Sequence, residues 1–367
     1  MTDPRIEKLA SILVNYSVEV KPGDWVFVIG NLVAEPLIDE VVANVLRAGG
    51  HPNVLLSSNL ISATVLRESS DEQLKWISPV EEMIFTKADV LISISSSQNT
   101  RALSSIDPAK QGTSQAARKD LMETYMMRSA SKELRWVIGQ YPSNALAQDA
   151  DMGLREFRDF VYQATYADKD DPIKEWKRIH DEQQRLVEWL EGKKRVEVRS
   201  KYADLSLSIE GRTFINSDGK HNMPSGEIFT SPVEDSVNGW VNFTYPAING
   251  GREVEGIRLK YKDGRVVEAS AEKNEEFLLK MLDMDEGART VGEFAIGTNY
   301  AIDRFTKSIL YDEKIGGSFH IAVGAGFPEA GGSNVSALHW DMICDAREDS
   351  EILVDGELLY KNGQFQV

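Results

Sequence analysis

Asp24-Trp25-Val26-Phe27-Val28-Ile29-Gly30 is an apolar run of strand length, and the order of the elements after it decides the fold class. Glu35 to Ala48 reads as a helix, Gly49-Gly50 stops it, and Asn53-Val54-Leu55-Leu56-Ser57 reads as a second strand. Ala88-Asp89-Val90-Leu91-Ile92-Ser93-Ile94 supplies a third, and Arg5 to Val20 precedes them as a helix with Ile6, Leu9, Ala10, Leu13 and Val14 on one face. Strand–helix–strand order with near-continuous apolar strands predicts a mainly parallel sheet covered by helices. The turn after Ile29 is Gly30-Asn31-Leu32-Val33. It holds neither G-x-G-x-x-G nor G-x-x-x-x-G-K-[ST], so the backbone cradle that a nucleotide phosphate needs is missing.

Past this α/β half the texture changes. Asp170 to Lys193 reads as a charged helix with Trp176, Ile179, Leu186, Trp189 and Leu190 as its buried stripe. From Val196 come short β-like runs: Ala203 to Ile209, Trp240 to Tyr245, Gly256 to Tyr261 and Val266 to Ala271. Lys262-Asp263-Gly264-Arg265 is a hairpin turn, and Glu351 to Gln366 a closing hairpin around Lys361-Asn362-Gly363. The expectation is an α/β fold in two domains. Residues 1–190 form an N-terminal α/β domain with a mainly parallel sheet, and residues 191–367 a C-terminal α+β domain.

The composition of the 367-residue chain, 42% hydrophobic and 27% charged, is that of a soluble globular protein. A net charge of −17 argues against general nucleic-acid binding, which needs basic patches. No apolar run reaches the roughly 18–20 residues of a membrane span. The polar start, Met1-Thr2-Asp3-Pro4-Arg5, is not a signal peptide, and one cysteine, Cys344, allows neither an intrachain disulfide nor a thiolate cluster. The cytoplasm is the expected compartment.

The chemistry lies in the second half. In Ser336-Ala337-Leu338-His339-Trp340-Asp341-Met342, side chains two apart on a strand point to one face, so His339 and Asp341 stand side by side on an apolar element. His320 lies in a similar run, Ser318 to Val323. Glu227 comes directly after the turn Pro224-Ser225-Gly226, Glu293 sits among apolar and small residues, and Glu313 precedes Gly316-Gly317. Each alone has a plainer explanation: a paired structural carboxylate for a glutamate, a hydrogen-bonded core ring for a histidine. Together, two His, one Asp and two or three Glu suit a pair of divalent ions roughly 3.5–4 Å apart, bridged by carboxylate.

Pro224-Ser-Gly-Glu227, Val291-Gly-Glu-Phe-Ala-Ile-Gly-Thr-Asn299, Asp312-Glu-Lys-Ile-Gly-Gly317 with His320, and His339-Trp-Asp-Met342 resemble, in order, the signature blocks of the M29 metallopeptidases, the thermophilic aminopeptidase T, S and II group. The resemblance implies metal ligation by Glu227, Glu293, His320, His339 and Asp341, with Glu293 as the bridge and Glu313 at or next to the ions. It implies a homodimer and two divalent ions (zinc, cobalt or manganese). The activity it implies is release of N-terminal residues from peptides with a free N-terminus, with Glu227 or Glu313 shuttling the proton. One position departs from the family pattern His-x-Ala-x-Gly-x-x-Tyr-Pro. Here His320-Ile-Ala-Val-Gly-Ala-Gly-Phe327-Pro328 carries Phe where an oxyanion-stabilising Tyr is expected. The rival reading, drawn from the same superfamily, is a dihydroxypyridine dioxygenase that cleaves its ring at one ferrous ion, with His320, His339 and Asp341 as a facial triad. That enzyme has no need of Glu227 and Glu293.

Overall fold

The computed structural model describes residues 3–367 and divides into two compact units. The first comprises residues up to Glu175 together with Gly219–Pro224; the second comprises Trp176–Asp218 and Ser225–Val367. The long helix Pro172–Leu190 begins in the first and runs on in the second.

The first unit is the expected parallel α/β sheet. Its strands β1 (Trp25–Asn31), β2 (His51–Ser57), β3 (Val90–Ser95) and β4 (Arg135–Gln140) lie in the order β2-β1-β3-β4, all parallel. A two-residue strand, Asn222–Met223, returns to extend the sheet beside β4. Successive side chains alternate between faces, so Val26 and Val28 pack on one side. Phe27 joins Leu91, Ile84, Ala88 and Leu134 on the other. The helix after β1, Glu35–Arg47, buries Leu37, Ile38, Val41 and Val45. The first helix ends at Ser11, and Ile12–Ser17 continues it as a π-helical stretch that stays buried. One expectation needs adjusting: β2 is the outer strand, and Val54, Leu55 and Leu56 are each more than 40% exposed. Its apolar run reads like a buried strand, but at the sheet edge it pairs on one side only, with β1.

The second unit packs two antiparallel sheets around one core. The larger has eight strands, and hairpin Arg258–Lys262/Arg265–Ser270 turns at the expected Asp263-Gly264. At the C-terminus the main hairpin turns at Asp355-Gly356, and Asn362-Gly363 makes a second turn, into Gln364–Phe365. The smaller sheet contains β5 (Ile215–Ser217), β6 (Glu227–Thr230), β7 (Val291–Gly297), β8 (Ser318–Gly324) and β9 (His339–Asp345), in the order β9-β8-β7-β6-β5. One face of this sheet is core: Ile228, Phe294, Ile296, Phe319, Ile321, Val323, Trp340, Met342 and Cys344. The residues between them form the opposite face, and the chemistry is there.

Candidate metal centre

The register of the smaller sheet brings five of the six expected site residues together. Asp341 lies opposite Ala322, Ala322 opposite Glu293, and His339 opposite Gly324. His320 lies opposite Ala295, and Glu227 opposite Gly297. Directly paired residues share a face, so donors from four strands stand over a floor of Ala and Gly that leaves room between them. Strict alternation would put Val291 on this face with Glu293. A bulge at Gly292 instead turns Val291 into the core, opposite Val323. Gly292 is needed there, because a Cβ on it would lie 2.1 Å from the Ala325 carbonyl oxygen. Gly324 has φ +105°, and its Cβ would come equally close to Leu338 O just ahead of His339.

Both imidazoles direct Nδ1 to a main-chain carbonyl, His320 to Glu313 O at 3.0 Å and His339 to Ala325 O at 2.9 Å. A ring that donates Nδ1–H to a carbonyl presents Nε2 as its ligating atom. His320 Nε2 faces Glu227 Oε2 at 3.7 Å, Glu293 Oε1 at 3.6 Å and Asp341 Oδ1 at 3.9 Å. His339 Nε2 faces Glu293 Oε2 at 3.2 Å and Asp341 Oδ1 at 3.5 Å. Glu293 therefore turns one oxygen to each ring. Donor atoms of Glu293, His339 and Asp341 all fall within 4.8 Å of one another.

Glu227, Glu293 and His320 are each at most 5% exposed. Glu227 Oε2 and Asp341 Oδ1 are buried with no hydrogen-bond partner, which is costly for carboxylate oxygens unless a cation meets them. The residues present thus fit a divalent metal in both donor chemistry and unmet need. Burial and charge crowding compete at the two imidazoles, Glu227 and Asp341. Burial pushes His320 down, but Glu293, Glu227 and Asp341 outweigh it and lift the ring to about 10. Burial likewise opposes protonation of His339, and Asp341 and Glu293 raise it to about 12. Burial pushes Glu227 up against the pull of Lys314 and His320. Asp341 is held well below its usual value, the two imidazoles and Lys314 outweighing its burial.

Glu313 stands apart from the ring-facing carboxylates. Its main-chain oxygen orients His320, while its Oε1 pairs with Lys314 Nζ. Burial raises its carboxyl to about 8, Lys314 opposing and Glu227 and Asp341 adding.

Two further residues bear on the site without having been picked out in the sequence. Lys314 is fully buried, with Nζ 3.7 Å from Glu227 Oε1 and next to Glu313. It lies within the Asp312–Gly317 motif, but its periodicity carries no sign of burial. Gln183 is 1% exposed; its Nε2 donates to Glu227 O at 3.2 Å and to Asn216 Oδ1 at 2.6 Å, and its Oε1 accepts from Thr298. A signal existed for Gln183, a lone amide between Ile179 and Leu186 in the apolar stripe of the long helix.

Three carboxylates converging on two pre-oriented imidazoles, carried on an antiparallel sheet, define a metalloenzyme. Residues 2–365 match the family model of the thermophilic metalloproteases (M29), and the chain belongs to that family. It is a metallo-aminopeptidase, a hydrolase. Aminopeptidase 2 of Geobacillus stearothermophilus is 26% identical over 351 residues, 89% of this chain and 84% of that protein. Among solved structures, wild-type AmpT from Thermus thermophilus superposes with a TM-score of 0.86 at 23% identity, covering 99% of both chains. The 2,5-dihydroxypyridine dioxygenase of Pseudomonas putida KT2440 gives a TM-score of 0.62 at 14% identity over 98% of this chain and 96% of its own, a likeness of fold. Among the described residues no helix is long and apolar enough to cross a membrane.

Proposed function

We propose that the chain releases N-terminal residues from peptides at a dinuclear centre held by Glu227, Glu293, His320, His339 and Asp341. The observation that carries this reading is Glu293, whose two oxygens face different imidazoles. One ion would take His320, Glu227 and Glu293; the other would take His339, Asp341 and Glu293. Bound there, two divalent ions supply Lewis acidity to the scissile carbonyl and make an attacking water more acidic.

The chain's own groups do the rest. Glu313 is the better proton shuttle of the two glutamates considered. Glu227 turns Oε2 to His320, whereas Glu313 faces neither ring and so stays free of the ligand set. Lys314 holds both carboxylates in place. The free α-amino group of the substrate would meet the acidic cluster or a metal, which favours cleavage at the N-terminus. The family resemblance supports a homodimer, and a single, buried cysteine suits a reducing cytoplasm.

Against the dioxygenase reading stands the presence of Glu227 and Glu293 beside His320, His339 and Asp341, since a facial triad uses only the last three. The test is metal content per chain, with hydrolysis of aminoacyl-p-nitroanilides after cobalt, zinc or manganese is restored. Two divalent ions and metal-dependent hydrolysis are expected. One iron per chain with no hydrolysis overturns the proposal.

A further inference from the structure

Phe229 stands two residues after Glu227 on β6, so both side chains leave the strand on the metal face. Its pairing partner is Ala295, which is also the partner of His320, so only a methyl group stands between the Phe229 and His320 positions. Phe327, in the loop after β8, brings its ring 5.1 Å from that of Phe229 and 5.0 Å from that of His339, edge-on to the imidazole at 67°. The loop is pinned there: Phe327 N donates to the buried Ser231 Oγ at 2.8 Å, and Phe327 O accepts from Ala330 N and Gly332 N. Beside donors that are almost wholly buried, Phe229, Phe327 and His339 are only half-buried.

A held, half-open pair of apolar rings next to convergent polar groups is the make-up of a ligand subsite. We infer that Phe229 and Phe327 form the apolar wall receiving the side chain of the substrate's N-terminal residue, and so select leucine- or phenylalanine-like residues over alanine and over charged ones. This rests on the aminopeptidase reading. In an aminopeptidase the residue that offers its carbonyl to the ions is the N-terminal one. Its side chain branches one bond from that carbonyl, towards the Phe327 ring that abuts the His339 imidazole and the Phe229 ring packed against it. With Phe at position 327 the wall carries no polar atom that would favour a charged side chain.

The test compares kcat/KM for leucyl-, phenylalanyl- and alanyl-p-nitroanilide in the metal-loaded wild type, Phe229→Ala and Phe327→Ala; Phe327→Ala serves where Phe229→Ala does not fold. Three extra carbons against an apolar wall give leucine an advantage over alanine of about tenfold or more, and each truncation lowers that ratio about tenfold, chiefly through KM. Competitive inhibition by free leucine, measured against free alanine, loses its preference in parallel, a readout independent of turnover. A uniform loss on all three substrates with the ratio intact overturns the inference. So does a changed preference for X in alanyl-X dipeptides, which would move the wall to the leaving side. If the loaded wild type hydrolyses no aminoacyl substrate, the aminopeptidase reading itself fails. Hydrolysis without leucine preference removes the wall alone.

Discussion

Replacing Glu293 by Gln keeps the shape of the side chain and removes the carboxylate that turns a separate oxygen to each imidazole. Its Oε1 stands 3.6 Å from His320 Nε2 and its Oε2 3.2 Å from His339 Nε2, so at the proposed two-ion centre the substitution would take an anionic donor from each ion. Losing a partner that merely orients a ligand costs about 10–100-fold in metal affinity. Losing a ligand shared by two ions costs at least that at each, about 10²–10⁴ for filling both. Glu227→Gln supplies the contrast. Glu227 Oε2 lies 3.7 Å from His320 Nε2, and the carboxylates within 4 Å of His339 Nε2 among the described residues are Glu293 and Asp341. The expected result is that Glu293→Gln empties both positions at a free zinc or cobalt level that saturates the wild type. Glu227→Gln retains the ion on the His339 side. Metal per chain after equilibrium dialysis and calorimetric titration of the metal-free proteins read this directly, and Glu293→Ala abolishes hydrolysis. A Glu293→Gln protein that keeps one ion at wild-type affinity would refute the bridge, because no single-ion role empties both positions.

Phe327→Tyr restores the hydroxyl that the family pattern carries. It raises kcat by up to about 10²-fold with metal content unchanged, since one oxyanion donor is worth about that much; an unchanged kcat means the oxyanion has no use for it. Gly292→Ala drives a methyl into the Ala325 carbonyl oxygen, 2.1 Å away, and that oxygen also receives His339 Nδ1. The expected result is a loss of about 3 kcal/mol in denaturant unfolding and weaker binding of the His339-side ion, and an unmoved midpoint contradicts the bulge argument. Burial pushes the Asp345 carboxyl up, but hydrogen bonds from Arg347 N and its guanidinium win and hold it below the ordinary 3.8. Because the folded value is the lower one, this stabilisation is complete above about pH 4 and is lost as pH falls through the folded value. Asp345→Asn therefore flattens the acid limb of a melting-temperature profile below pH 4, by about 0.5–1 kcal/mol for a side chain 29% exposed, and an unchanged acid limb counts against it.

What was legible in the sequence, and what was not, divides along a physical line. The parallel sheet was legible because apolar strands and helical spacing are local properties of the chain, and β1, β3 and the helix between β1 and β2 lie within a few residues of their expected positions. Exposure of β2 was not, because whether a strand lies inside a sheet or at its edge is decided by strand order. At the site, the alternation of one strand suffices to place His339 beside Asp341. The convergence of Glu227, Glu293 and His320 on them depends on register across four strands, which periodicity does not contain; ordered motifs supplied it.

Gly292 shows the limit most sharply. By alternation alone Val291 and Glu293 belong on one face, and a valine would then stand on the floor of the metal site. The extra residue of the bulge sends Val291 to the core while Glu293 keeps its place opposite Ala322. A glycine in a strand hints at such a bulge without saying which neighbour it turns. Lys314 is the electrostatic counterpart. Three carboxylates, those of Glu227, Glu293 and Asp341, crowd this face with that of Glu313 beside it, and the buried Lys314 ammonium against Glu227 and Glu313 opposes the burial that raises both carboxyls. Local sequence marks Lys314 as one more charged residue after two acids. Only the fold turns it inward, where its charge helps keep Glu227 an anion fit to bind metal.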